Sequence, residues 1–285
     1  MSCIWKAEYV IKGLQISEEI KVYEYTFKPS GKNETLLEFY FEAQDDSLAE
    51  NYSEEEKEFI LDALLFQNIA VTARRKELQE VKRKDKPTIR VIKYIQASRV
   101  IVKKGLDKDQ LKKSIETLRK IKENHVDEML TMSLRWFRKG RTETDIYDRF
   151  ISLWVSFNAL YQKYDVSDQK AIEQLVYDIF NSSEAQKILD SFSSESIEII
   201  KESDLELTRG KYKGKVKEGL DKSIEERDYL NILKFVLLKL YSLRNDIFHS
   251  YVLYGDRQKR RLIKISSDIL IKILPRILLY RINNI

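Results

Sequence analysis

The sequence predicts an α+β protein, with a β-rich N-terminal domain followed by a C-terminal all-α helical bundle. Before residue 105, short segments rich in aromatic and β-branched residues alternate partly between apolar and polar positions, as strands do. From Asp107 onward, apolar residues recur three and four positions apart, as on one face of a helix. A hydrophobic fraction of 43% is sufficient for a core, and only eight glycines and three prolines interrupt the chain.

The chain is expected to contain three regions. Residues 1–105 form a β-rich domain of unknown role with one helix, residues 106–142 form a helical connector, and residues 143–285 form an α-helical domain. The boundary is placed near Arg138–Thr142, because this basic segment contains a glycine and indicates a break between helices.

Three segments of the first region are predicted as strands, namely Ile4–Ile11, Ile20–Phe27 and Leu36–Phe41, with turns at Gly13 and Pro29–Gly31.

After these strands, the polar segment Asp45–Ser53 is predicted as a loop. Ser53 and Glu56 have the spacing of a capping box, which predicts a helix from Ser53 to about Arg75. Two further short strands are predicted at Ile89–Ile95 and Ser98–Lys103.

In the helical part, apolar residues first recur at helical spacing through residues 111–136. One very regular segment follows. Its apolar residues lie four, three, four, three and four apart, at Ile146, Phe150, Leu153, Phe157, Leu160 and Tyr164. Two or three shorter helices between Asp168 and Ser203, an exposed loop at Thr208–Ser223 and a helix around Leu230 are predicted next.

The last predicted helix, about Asp256–Arg281, is apolar on more than one face. A helix of this kind is buried on several sides. A subunit interface and a central position in the core both explain the pattern. Pro275 is expected to kink the helix.

Composition excludes several classes of site. Cys3 is the only cysteine, so a disulfide framework and a thiolate metal site are excluded, and two histidines argue against a histidine-rich metal centre. No apolar run reaches the about 18 residues of a membrane span, and Met1–Tyr9 lacks a signal pattern. We therefore expect a cytoplasmic protein with no cofactor and no metal.

The segment Leu243–Tyr251 has one of the two histidines five residues after an arginine. Upstream leucines form a helical face that continues to Arg244, and a second face continues to Asn245 and His249. Arg244 and His249 are about 140° apart on an ideal helix, so they meet at one phosphate only if the helix ends or kinks, or if two chains contribute. An arginine capping a helix end beside a packed histidine explains the same spacing.

The net charge of +5 is too small to indicate a nucleic-acid partner, but basic residues cluster locally. Two basic runs, at 74–86 and 211–217, have the composition of solvated faces. A third cluster follows the Arg/His segment directly and is predicted to bind phosphate groups. It consists of Arg257, Lys259, Arg260 and Arg261.

Two segments resemble HEPN-domain proteins. Arg149–Tyr161, in which Leu-Trp is followed by Phe-Asn-Ala, is similar to the first long helix of ApeA-like HEPN domains. Arg244–His249 resembles their Arg-x4-His motif, with the usual polar residue, Asn245, after the arginine. The resemblance covers the chain from about Glu143 onward and implies a HEPN helical bundle.

This resemblance implies a metal-independent endoribonuclease that cleaves RNA by attack of the 2′-hydroxyl on the adjacent phosphate. His249 would act as general acid or base, Arg244 would stabilise the charge of the transition state, and Asn245 would orient the imidazole or the phosphate. The resemblance also implies a homodimer, formed through the C-terminal helices, in which two motifs share one groove.

Tyr251 extends the motif to the form of HEPN toxins whose tyrosine is adenylylated by a minimal nucleotidyltransferase antitoxin. The resemblance thus implies prokaryotic antiviral defence or a toxin–antitoxin system, with such an antitoxin or another regulator as partner. Two other functions stay open, a non-catalytic RNA- or nucleotide-binding HEPN module and a dimerisation scaffold.

Overall fold

The computed structural model describes residues 3–31, 33–65, 71–81, 106–123, 128–248 and 257–284. Contacts divide the chain between Asp127 and Glu128 into two compact units. The first contains an antiparallel five-stranded sheet and two helices, and the second is entirely helical in its described residues. This order of elements confirms the predicted α+β layout.

The sheet of the first unit is built around its first strand. The strands lie in the order β2-β3-β4-β1-β5, and all neighbours are antiparallel. Glu8 pairs with Glu77 and Tyr9 with Arg75, so a bulge at Lys76 of β5 shifts the register between β1 and β5. The strands are β1 (Cys3–Lys12), β2 (Ile20–Val22), β3 (Tyr25–Gly31), β4 (Glu34–Ala43) and β5 (Thr72–Glu80).

One face of the sheet is aromatic and buried. The rings of Tyr9 and Phe39 stack with their centroids 6.0 Å apart, and both side chains are almost fully buried. Helix α1 (Asp46–Leu65) contacts β1, β4 and β5. The Tyr9 hydroxyl donates to the Glu54 carboxylate of α1 at 3.0 Å, so a polar contact also links helix and sheet.

On β1, β3 and β4, the residues that alternate with the buried aromatic ones carry charged side chains. These side chains form ion pairs between neighbouring strands. The Glu38 carboxylate lies 2.8 Å from the Lys6 ammonium and 3.0 Å from the Lys28 ammonium. Burial opposes ionisation of Glu38, but the hydrogen bonds and charges of the two lysines outweigh it and lower its pKa. The paired charges thus make a well-covered carboxylate compatible with the sheet.

The predicted strand Ile20–Phe27 is two strands in the structure. Val22 pairs with Tyr25, which leaves a two-residue turn in which Tyr23 adopts φ 54°. Glycine or asparagine usually occupies this conformation, and tyrosine rarely does. The sequence between β2 and β3 therefore contains no residue that predicts a turn.

The expected loop at Asp45–Ser53 was wrong, because α1 already begins at Asp46. The Asp45 carboxylate accepts from the Leu48 backbone N–H at 2.9 Å and caps the helix earlier than expected. Ser53 lies inside the helix, where its hydroxyl donates to the Glu50 carbonyl.

The predicted extension of this helix to Arg75 was also wrong. Arg75 lies in β5, where it pairs with Tyr9 of β1. Thr72–Glu80 has only two apolar residues, Ala73 and Leu78, and they lie five positions apart, so the strand gives little signal. The strands predicted at Ile89–Ile95 and Ser98–Lys103 lie outside the described residues.

The expected connector 106–142 is divided between the two units. Helix α2 (Lys108–Glu123) packs on α1 and β2 in the first unit, whereas α3 (Glu128–Thr142) belongs to the second. Arg138–Thr142 is not a break but the last part of α3. Its glycine, Gly140, is buried because it faces Leu153.

The second unit is organised around α4 (Ile146–Tyr161), against which α3 and α10 pack. The regular apolar spacing of 146–164 is confirmed as this helix, followed by a short 3-10 turn at Gln162–Tyr164. The remaining helices are α5 (Asp168–Ile179), α6 (Ser182–Asp190), α7 (Ser194–Glu202), α8 (Val216–Glu226), α9 (Tyr229–Phe248) and α10 (Arg257–Asn283).

The expected loop at Thr208–Ser223 is helical in its second half. The Glu206 carboxylate accepts from the backbone N–H groups of Val216 at 3.1 Å and Lys217 at 2.7 Å. This carboxylate satisfies donors at the start of α8 from outside the helix. A cap supplied from so far upstream has no sequence signature, which is why the helix was missed.

The apolar faces of α10 are buried within a single chain. Ile263, Leu270, Ile273 and Leu274 are fully covered, and α10 contacts α3, α4 and α7. Of the two explanations for the apolar faces of α10, a central position in the core therefore accounts for them without a subunit interface. Among the described residues, no helix is long and apolar enough to cross a membrane.

Gly140→Ala is expected to destabilise the second unit. An added Cβ would lie 2.6 Å from Leu153 Cγ and 3.1 Å from its backbone nitrogen. Alanine normally stabilises a helix by about 1 kcal/mol over glycine, but overpacking costs about 1–3 kcal/mol. We expect a net loss in the free energy of unfolding measured by denaturant titration. Gly31→Ala, whose Cβ would meet nothing closer than 3.9 Å, serves as the control.

Candidate functional site

Helix α9 carries Arg244 and Asn245 in its last two turns. Its buried face includes Leu233, Leu237 and Leu240, each fully covered, and the helix contacts α5, α6, α7 and α8. Arg244 follows this face in the same rhythm, as the spacing predicts. The core packing of α9 therefore holds the backbone of Arg244 in a fixed position.

The guanidinium of Arg244 is half-buried and has an incomplete set of partners. Its Nη1 donates to Oδ1 of Asn245 at 2.9 Å, and the group lies 4.5 Å from the centre of the exposed Phe248 ring. Its Nε–H is buried and has no hydrogen-bond partner among the described residues. In that part of the chain, no carboxylate lies within ion-pair distance of Arg244. The site thus keeps a positive charge and a donor available for an anion.

An aromatic wall joins α4 to this part of α9. The Trp154 ring lies 6.1 Å from that of Tyr241 and 6.4 Å from that of Tyr161, measured between centroids. Trp154 and Tyr161 are almost fully buried. Tyr241 precedes Arg244 by one helical turn. The segment Arg149–Tyr161 therefore contacts α9 one helical turn before Arg244.

The same charged groups shift the pKa values of two phenols in this wall, Tyr161 and Tyr241. Burial raises the pKa of Tyr161 and of Tyr241, and the nearby Asp168 carboxylate raises both further. The Arg244 charge acts in the opposite direction on both, and the Asn245 side chain also lowers the pKa of Tyr241. Both phenols therefore stay protonated near neutral pH.

The basic cluster predicted to bind phosphates begins α10 and is not uniform. Arg261 forms an ion pair with Glu195, and the Lys259 ammonium lies 3.7 Å from the Asp246 carboxylate. Arg257 and Arg260 are exposed and form no ion pair with a described residue. Only part of the cluster is therefore free of an acidic neighbour.

Two predicted site residues, His249 and Tyr251, lie outside the described residues. Sequence reasoning missed Tyr161, Tyr241 and Asp168. Tyr241 precedes Asn245 by four residues, so helical spacing alone could have placed it there. Asp168 comes from another helix, and no local pattern links it to Arg244. No described group of three or more His, Cys, Asp and Glu side chains is arranged to hold a metal ion.

Comparison of the chain with models of known families, with curated proteins and with solved structures gives no match.

Arg244 and Lys239, two cations on α9, are expected to differ in their effect on stability. The fully buried Lys239 ammonium donates to the Ser203 carbonyl at 2.7 Å and the Lys201 carbonyl at 3.3 Å, at the end of α7. Lys239→Ala should lower the free energy of unfolding by about 2–4 kcal/mol, because it orphans carbonyls and leaves a cavity.

Arg244→Gln removes a charge that has no acidic partner among the described residues, so its stability should stay within about 1 kcal/mol of wild type. Chemical denaturation of both variants checks this contrast. A loss for Arg244→Gln as large as that for Lys239→Ala would identify Arg244 as a structural residue instead.

Proposed function

We propose that this protein is a metal-independent endoribonuclease of HEPN type, acting in the cytoplasm in prokaryotic antiviral defence or a toxin–antitoxin system. One observation carries the proposal: Arg244 is half-buried, has no described acidic partner and keeps an unpaired Nε–H. Guanidinium groups match phosphate oxygens in geometry and charge, so an RNA phosphate would satisfy this group.

Each residue of the motif then has a chemical role. Arg244 binds the scissile phosphate and stabilises the negative charge that develops on it. Asn245 holds the guanidinium through Oδ1 and leaves the Arg244 Nε–H free. His249 acts as general acid or base, because imidazole exchanges protons near neutral pH. RNA is cleaved by attack of the 2′-hydroxyl, without a metal or cofactor.

The proposal extends to assembly and regulation. A homodimer through the C-terminal helices would bring two motifs to one groove and would let Arg244 and His249 act from different chains. Tyr251 would be the target of an antitoxin nucleotidyltransferase, because its modification would place a bulky anion beside the Arg/His motif.

The proposal predicts RNA cleavage that depends on His249 and on Arg244. Wild type, incubated with mixed RNA in EDTA, should leave 2′,3′-cyclic phosphate and 5′-hydroxyl ends. His249→Ala should lower the rate by about 10²–10⁴-fold, the usual contribution of a general acid or base. Arg244→Gln should lower it by about 10²–10³-fold, as for other groups that stabilise a charged transition state. End-group analysis of the products provides the measurement.

Arg209→Ala is the control, because Arg209 is an exposed arginine that the proposal does not use. Cleavage that persists in His249→Ala would refute the catalytic role of the motif. RNA binding by wild type that requires Arg244, without cleavage, would favour the binding module. Indifference of both cleavage and binding to these substitutions would favour the scaffold.

The salt dependence of RNA binding should distinguish members of the basic cluster. Each phosphate contact with a single strand contributes a slope of about 0.7 to log K against log salt. Arg257→Ala combined with Arg260→Ala should therefore reduce the slope by about 1.4 in the His249→Ala background, measured by fluorescence anisotropy. Arg261→Ala should change it less, because Glu195 already neutralises Arg261. Equal effects would contradict this ranking.

A further inference from the structure

The segment 208–215, which precedes α8, is a basic loop whose backbone is held by a side chain of α5. In the first turn of α5, Gln169 Oε1 accepts from the backbone N–H of Tyr212 at 3.1 Å. The Nε2 of the same amide donates to the backbone carbonyl of Arg209. One buried side chain therefore fixes two backbone groups of the basic loop.

Two further contacts hold the basic loop against the core. The Tyr212 side chain is buried, and its ring meets the Phe235 ring edge-to-face with centroids 5.8 Å apart. Gly210 adopts φ 85°, and a Cβ at this position would lie 2.4 Å from Gln169 Nε2. The loop thus packs closely on α5 and needs glycine there. Its conformation is set by folding, so binding a ligand does not have to order it.

The cations of the basic loop differ in their partners. Three lysines follow Gly210 at every second position. The Lys211 ammonium lies 2.7 Å from the Glu173 carboxylate. Lys213 and Lys215 are exposed and form no ion pair with a described residue. The loop therefore presents two cations without a described acidic partner on a fixed backbone, an arrangement suited to a polyanion.

An exposed aromatic ring lies beside the basic loop. The Lys234 ammonium lies 5.7 Å from the centre of the Tyr177 ring and 5.4 Å from the centre of the Tyr212 ring, so the two rings flank one cation. The Tyr177 hydroxyl donates to Asn231 Oδ1 at 2.7 Å and lies 3.3 Å from the Lys234 ammonium. Tyr177 is nevertheless 43% exposed. Its ring is held in place, and part of its surface is available to a ligand.

We propose that the basic loop and Tyr177 form a binding surface for single-stranded nucleic acid, outside the Arg244 site. Lys213 and Lys215 bind backbone phosphates, and a base stacks on the exposed part of the Tyr177 ring. Proteins that bind single strands combine cations along the backbone with aromatic side chains against the bases. An acidic peptide would engage the lysines but has no base to place on the ring. The surface goes beyond the proposed function, because it uses no residue of the Arg/His motif and does not require cleavage.

Fluorescence anisotropy with an oligoadenylate of about ten nucleotides tests the surface. The background carries His249→Ala, Arg257→Ala and Arg260→Ala, so that the proposed cleavage and the α10 cluster do not contribute. Lys213→Gln combined with Lys215→Gln should weaken binding and reduce the slope of log K against log salt by about 1.4, since each phosphate contact with a single strand contributes about 0.7.

Tyr177→Phe and Tyr177→Leu separate stacking from phosphate binding. Both variants lose the hydroxyl, but only leucine lacks the aromatic face. Tyr177→Leu should bind about tenfold more weakly than Tyr177→Phe, because stacking of a base on an aromatic side chain stabilises the complex by this order of magnitude. Neither variant should change the salt slope, since neither removes a phosphate contact. Lys187→Gln, which replaces an exposed lysine of α6, should bind like the background protein.

An unchanged salt slope in the double lysine variant, or equal affinities of Tyr177→Phe and Tyr177→Leu, would overturn the inference. Oligoglutamate that binds as tightly as the oligonucleotide would also overturn it, and would assign the loop to an acidic protein partner. These outcomes do not depend on whether wild type cleaves RNA, so the inference and the proposed function are tested separately.

An oligodeoxyadenylate of the same length separates the two kinds of nucleic acid. Equal affinity for both oligonucleotides would assign the surface to any single strand, through phosphate and base alone. Tighter binding of the oligoadenylate would assign it to RNA, whose 2′-hydroxyl distinguishes it from DNA. Either result, together with the dependence on Lys213, Lys215 and Tyr177, supports the surface.

Discussion

The aromatic column of α4 is the constraint on which the second unit depends. Phe150, Trp154, Phe157 and Tyr161 recur at helical spacing, are almost fully buried and contact one another, with Trp154 and Phe157 edge-to-face at 5.3 Å. Helices α3 and α10 pack against α4. Because Trp154 also contacts Tyr241 of α9, the column that builds the core places Arg244 as well. Fold and candidate site therefore use the same side chains.

Three cations on α9 show how differently buried charge is accommodated. Lys239 donates to backbone carbonyls, and Lys234 has the Tyr177 hydroxyl at 3.3 Å, the Glu173 carboxylate at 3.9 Å and the Phe235 ring beneath it. Both have their donors directed at fixed protein groups. Arg244 differs, because a neutral amide and an aromatic face are its described partners and one donor is left over. That difference separates a group that stabilises the fold from one suited to a ligand.

The parts of this fold that could be predicted are those with local periodicity. The α4 spacing, strands β1 and β4 and the continuation of the α9 face to Arg244 all follow from apolar residues at regular intervals. The errors share a different cause. Strand β5 has a charged sequence and is specified by pairing with β1, and α8 receives its cap from Glu206 upstream. Such non-local contacts leave no pattern in the segment that they determine.

The candidate site was predictable to the same degree. Arg244 and Asn245 could be named from the chain, because both lie on faces that begin as core. Asp168 and Tyr161 could not, because they approach from other helices through the packing of Trp154 and Tyr241. A motif on one helix thus indicates the chemistry, while the neighbouring helices determine how the charge is held.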